Sequence, residues 1–79
     1  MKLPRNISGE RLAGVLRRHG YQMVRQKGSH IRMRNEGPPA HSLTIPNHNP
    51  IKTGTLHAIL SEVVERKFAT LEDLLKELG

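Results

Sequence analysis

Cysteine is absent from this chain, which excludes a disulfide framework and any thiolate metal site. Tyr21 and Phe68 are the only aromatic residues, too few for a platform on which unpaired bases stack. Asp73 is the sole aspartate, and no acid lies between Glu36 and Glu62. The convergent carboxylates that hold a pair of catalytic metal ions are therefore missing. Five histidines are present, His19, His30, His41, His48 and His57, but no two stand four apart on one helix and none has a cysteine partner. That spacing does not make a zinc site, and neither a metal nor a cofactor is expected. No apolar run approaches the 18 or so residues of a membrane span, and the first eight residues lack the apolar core of a signal peptide. The expected location is the cytoplasm, with no membrane partner.

What the chain does have is positive charge, unevenly placed. Residues 1–34 carry nine Lys/Arg and one acid, Glu10, for a net +8; residues 35–79 carry four and six, for −2. The basic half is the candidate surface for a polyanion, and with so few aromatics recognition has to rest on phosphates and shape. A solvated basic face is the plainer alternative.

Seventy-nine residues make one small domain, 1–79, with a limited core, because a chain this short buries only about 60% of its unfolded surface. Any site must lie near the surface. Ser8 is a candidate N-cap, Glu10 suits the start of a helix dipole, and Ile7 with Leu12 forms a hydrophobic staple. Leu12, Val15, Leu16 and His19 share a face, Arg11, Arg17 and Arg18 decorate the remainder, and Gly20 is a natural stop. These signals predict a helix over about residues 9–19. Tyr21 to Gln26 is strand-prone, Lys27-Gly28-Ser29 suits a hairpin turn with Gly28 at positive φ, and His30 to Asn35 alternates cleanly. Ile31 and Met33 point one way and His30, Arg32 and Arg34 the other. After the break at Glu36-Gly37-Pro38-Pro39, His41 to Ile45 alternates again with Leu43 and Ile45 inward, and Pro46 ends the strand. Thr53 is a candidate cap for a helix using Leu56, Ile59, Leu60 and Val63. Thr70 with Asp73 resembles a capping box before Leu71, Leu74, Leu75 and Leu78.

The expected fold class is α+β in the order α-β-β-β-α-α, a three-stranded antiparallel sheet with helices on one face. The other face, carrying His30, Arg32 and Arg34, is left open.

Gly20-Tyr21, Arg25-Gln26-Lys27-Gly28-Ser29-His30, Ile45-Pro46-Asn47-His48 and Gly54-Thr55-Leu56 with Ile59-Leu60 together resemble the HicA (YcfA-like) toxin family, the mRNA interferases of bacterial and archaeal toxin–antitoxin modules. The resemblance spans about residues 8–78. Gly-Ser-His alone is a weak motif; its coupling to a downstream Ile-Pro-x-His and a Gly-Thr-Leu helix start is much more specific. The resemblance implies a dsRBD-like fold (that of double-stranded-RNA-binding domains), ribonuclease activity with His30 as the catalytic residue, and a HicB-like antitoxin that masks it. Tyr21 departs from the pattern, standing where phenylalanine is more usual.

General acid–base catalysis suits such a reaction, because RNA supplies its own nucleophile in the 2′-hydroxyl and DNA does not. His30 is then the base, with Arg25, Lys27, Arg32 and Arg34 stabilising charge on the phosphate oxygens. Gly28 serves the turn. Ser29 either bonds locally or touches a phosphate, and Lys52 is a candidate RNA contact. His48 is either an RNA contact or part of a rigid turn in which Asn47 or Asn49 bonds its own backbone. His41 and His57 are expected at the surface. A non-catalytic RNA-binding module, or an interaction protein docking an acidic partner, fits the same basic face.

Overall fold

The computed structural model describes residues 3–79. Its elements are α1 (Gly9–Arg17), β1 (Tyr21–Lys27), β2 (His30–Asn35), β3 (His41–Pro46), α2 (Thr53–Glu65) and α3 (Leu71–Leu78). The strands form one antiparallel sheet in the order β1-β2-β3, the α+β arrangement that the sequence predicts. Among the described residues no helix is long and apolar enough to cross a membrane.

Local chemistry sets the boundaries. The Ser8 hydroxyl accepts the Arg11 backbone N–H at 3.1 Å, and Ile7 and Leu12 are both buried, so the cap and the staple are in place. The helix ends two residues earlier than its apolar spacing suggests. The N–H groups of Arg18, His19 and Gly20 turn back to carbonyls three residues away, tightening the last turn. Gly20 then adopts φ +93, and a Cβ there would lie 2.8 Å from Asn35 Nδ2. That close approach has a purpose. Asn35 Nδ2 donates to the His19 carbonyl at 2.9 Å while its Oδ1 accepts from Gly37 N–H, so one buried amide joins the turn after α1 to the β2–β3 loop.

Two expected boundaries are corrected. The strand expected over His41 to Ile45 runs one residue further and Pro46 ends it from within, as its last residue, paired with His30 at the sheet's open edge, where a proline need donate nothing to the ladder. Thr53 is not the cap of α2: it is the first helical residue, Lys52 occupies the cap position, and no side chain bonds the helix start. Thr70 does cap α3, accepting from Asp73 N–H at 3.1 Å.

Leu12, Leu16, Met33, Ile45, Leu56, Leu60, Val63 and Leu74 form the centre of the core, between the helices and one sheet face. Leu74 and Leu78 of the α3 stripe are buried, and Leu71 and Leu75 pack at its margin. The third correction concerns His41, which is buried rather than exposed. It shares the inward parity of Leu43 and Ile45, and both its nitrogens have partners. Tyr21 Oη lies 2.8 Å from Nδ1, and Glu62 Oε1 lies 2.8 Å from Nε2. A phenol donating to Nδ1 and an Nε2–H donating to the carboxylate satisfy every group in the chain. Phe68 meets the Tyr21 ring edge-on at 5.7 Å. Burial pushes the Tyr21 hydroxyl up to about 12, with the Glu62 charge adding to the rise and Arg66 opposing it.

Candidate nucleic-acid interface

The outer face of the sheet is assembled by strand register. Along β2, His30, Arg32 and Arg34 are exposed and alternate with buried Ile31, Met33 and Asn35. Across β1 their partners are Lys27, Arg25 and Gln22; across β3 they are Pro46, Thr44 and Ser42. Directly paired residues share a face, so Lys27, Arg25 and Arg32 stand beside His30, with Arg34 further along the same face.

Simple alternation does not give this result. Counted from buried Tyr21, a regular strand would send Met23, Arg25 and Lys27 inward together. The ladder instead slips between Met23 and Arg25, leaving Val24 as an extra residue. This β-bulge reverses the parity of everything after it and turns Arg25 and Lys27 onto the face of His30. Val24 itself is 56% exposed.

Charge on this face is largely uncompensated. Arg25 stands directly opposite Arg32, a like-charge pairing that costs stability. Among the described residues neither one, nor Lys27, has a carboxylate within ion-pair distance. Arg32 donates to Thr44 Oγ1 at 3.0 Å, and Arg34 Nε to Glu36 Oε1 at 2.7 Å. The Arg34–Glu36 pair is exposed and exchangeable. The arginines of α1 are differently placed: Arg11 donates to the Leu78 carbonyl at 3.1 Å, and Arg18 lies 3.7 Å from Glu77. Two of the three are thus drawn toward the end of α3.

The two sequence pieces around His30 and His48 meet in space. Gly28 has φ +56 and a Cβ there would meet nothing within 4 Å, so its turn alone calls for glycine. Ser29 contributes its carbonyl, accepting Asn47 N–H at 2.6 Å. His48 contributes its carbonyl to Gly9 N–H at 3.0 Å, leaving its side chain exposed. Gly9 is needed for that contact, since a Cβ would lie 2.6 Å from the Pro46 carbonyl. Backbone bonds therefore hold this turn; among the described residues neither Asn47 nor Asn49 forms a side-chain hydrogen bond to it. Lys52 is not brought onto the sheet face. It sits at the start of α2 and shares a surface hollow with Arg5, Asn6 and Thr53.

Among the described residues no group of three or more His, Asp or Glu converges as a metal-ligand set. Sequence reasoning misses the bulge, for which the only cue is that Tyr21 and Lys27 need opposite faces. It also misses the Tyr21–His41–Glu62 chain, although two cues exist: a histidine at inward parity and a tyrosine where the resembling family prefers phenylalanine.

The family model described as the HicA toxin of bacterial toxin–antitoxin systems matches residues 9–63. That span runs from the first residue of α1 into the last turn of α2 and includes the whole sheet. No curated protein and no solved structure matches the chain. With most of its length under that family model, this chain belongs to the HicA toxin family of bacterial toxin–antitoxin systems.

Proposed function

We propose that the chain is a metal-independent endoribonuclease, an mRNA interferase, and that a HicB-like antitoxin neutralises it by covering the open sheet face. The observation that carries this reading is the register that sets Lys27 across from His30 and Arg25 across from Arg32, with no carboxylate among them. Cations held against one another without counter-charges are stabilised by a bound polyanion.

Neutral His30 takes the proton of the RNA 2′-hydroxyl as that oxygen attacks the adjacent phosphorus. Arg25, Lys27, Arg32 and Arg34 stabilise the charge gathering on the non-bridging oxygens. Arg34 reaches a phosphate by exchanging Glu36 for it. Ser29 and His48, at the edge of this face, contact the backbone on either side, and Lys52 meets a more distant part of the strand. The products are a 2′,3′-cyclic phosphate and a free 5′-hydroxyl.

Replacing His30 with Ala should abolish RNA cleavage and the growth arrest caused by expression, while RNA affinity stays near that of the native chain. Cleavage should survive EDTA. Binding without cleavage by the native chain would select the non-catalytic RNA-binding module. Loss in EDTA with recovery in magnesium would select a metal nuclease. The antitoxin should compete with RNA, its association slowing steeply with salt because charges on this face are screened within about 10 Å at 0.1 M. A ternary complex with intact RNA, seen by native mass spectrometry, would exclude direct occlusion.

A further inference from the structure

We propose that Lys27 is the general acid of this site, donating a proton to the departing 5′-oxygen while His30 accepts one from the 2′-hydroxyl. The inference rests on the ribonuclease reading and adds the second half of its proton transfer. A ribose 5′-alkoxide is a poor leaving group. His30 is engaged in taking up a proton as the attack begins, so a second group has to supply the one that the leaving oxygen needs.

The sheet leaves little choice of donor. Around His30 on the outer face stand Lys27 across β1, Pro46 across β3, Arg32 two residues along β2, and Arg25 and Thr44 on the diagonals. Proline has no proton to give. A guanidinium does not release one in proteins, and an aliphatic hydroxyl is too weak an acid. The nearest carboxylate in register, Glu36, lies beyond the far end of β2 and faces Arg34. A lysine ammonium carries a releasable proton on a flexible four-carbon stem.

Geometry favours the same residue. Lys27 and His30 flank the two-residue turn Gly28-Ser29, the pair is in direct register, and the bond from Asn47 N–H to the Ser29 carbonyl fastens the turn. Their Cβ atoms are then roughly 4.5–5.5 Å apart. The reach of the lysine stem lets its ammonium pass to the far side of a phosphate whose near side meets the imidazole. In-line displacement needs base and acid so disposed. His48 is less well placed: it lies two residues beyond Pro46, outside the ladder, with its backbone held by α1.

In balanced form, O2′ bonds to phosphorus and the P–O5′ bond breaks. The 2′-hydroxyl proton passes to His30, and a proton from Lys27 Nζ passes to O5′. The site is left with imidazolium and neutral amine, and exchange with water restores both.

The test uses a short oligonucleotide with one ribonucleotide, at a linkage that the native chain cuts in the all-RNA strand. It is made once with the ordinary 5′-oxygen and once with sulfur in that bridging position. A thiolate leaves without protonation. Single-turnover rates at saturating protein remove differences in affinity. Lys27→Ala and Lys27→Arg should slow cleavage of the oxygen substrate by about 10²-fold or more; on the sulfur substrate Lys27→Arg should reach the native rate, and Lys27→Ala should recover all but the share owed to the lost positive charge. Lys27→Arg keeps the charge, so its failure on oxygen alone isolates the proton. Equal loss on both substrates, or rescue by sulfur in His48→Ala instead, would overturn the assignment while leaving His30 as the base. His30→Ala should be inactive on both; if it cleaves both, the ribonuclease mechanism itself fails.

Discussion

The two faces of this sheet each carry one histidine, and the pair shows how a fold separates structural from chemical use of the same side chain. His41 points inward from β3, is buried, and has both nitrogens committed to Tyr21 and Glu62. His30 points outward from β2, is exposed, and among the described residues has no hydrogen-bond partner for either nitrogen. An imidazole with both nitrogens engaged is held in one orientation and has nothing to offer a substrate. One left open beside cations is available for proton transfer.

The sharpest way to break this comparison is to exchange the losses. His30→Ala should reduce cleavage by about 10²–10⁴-fold or more while unfolding within about ±0.5 kcal/mol of the native chain. His41→Ala should do the reverse. It opens a cavity and orphans the Tyr21 hydroxyl, costing about 2–4 kcal/mol, yet the folded fraction should cleave RNA at the native rate. Urea melts alongside cleavage assays give both numbers. A stable His41→Ala chain without activity would assign the buried histidine to the reaction.

The inner face can be probed by alkali. Tyr21 titrates near 10 in an unfolded chain and near 12 when folded. A raised pKa contributes stability that is fully present below pH 10 and is lost as pH rises through about 12. The two-unit gap corresponds to about 2–3 kcal/mol. Tyr21→Phe removes the titrating group, so its stability should fall less than that of the native chain between pH 10 and 12. At neutral pH it should be less stable by about 1–3 kcal/mol, because His41 Nδ1 loses its donor. Parallel alkaline limbs for the two proteins would show that the hydroxyl is not buried as described.

These two faces differ also in how far the sequence reveals them. Residues 30–35 are legible because strict alternation admits one arrangement, and the Ser8 and Thr70 caps because a hydroxyl three residues before an orphan N–H has a definite partner. His41 is not legible by polarity, which argues for the surface, although its parity with Leu43 and Ile45 argues for the core. Here parity decides, because Tyr21 and Glu62 provide the hydrogen bonds that burial requires. The cations of β1 are less legible still. Arg25 and Lys27 reach the site only through the extra residue at Val24, and no local preference of that segment specifies a bulge. The family resemblance singles out His30, and charge beside it singles out Arg25 and Lys27; the path by which the three meet is not legible.

The smallest expected effect concerns the outer face alone. Arg25 and Arg32 stand opposite each other without a counter-charge, so folding works against their repulsion and a polyanion relieves it. Arg25→Gln should therefore move stability and binding in opposite directions. The free chain should gain about 0.2–1 kcal/mol. RNA affinity should fall, and the dependence of its logarithm on the logarithm of salt concentration should flatten by about one unit at most, the effect of one lost phosphate contact. Arg32→Gln should weaken binding similarly but stabilise less, because it also gives up the bond to Thr44. Arg17→Gln, on the exposed side of α1, serves as the control. If Arg17→Gln flattens the salt slope and Arg25→Gln leaves it unchanged, the RNA follows α1 and the open sheet face is not its track.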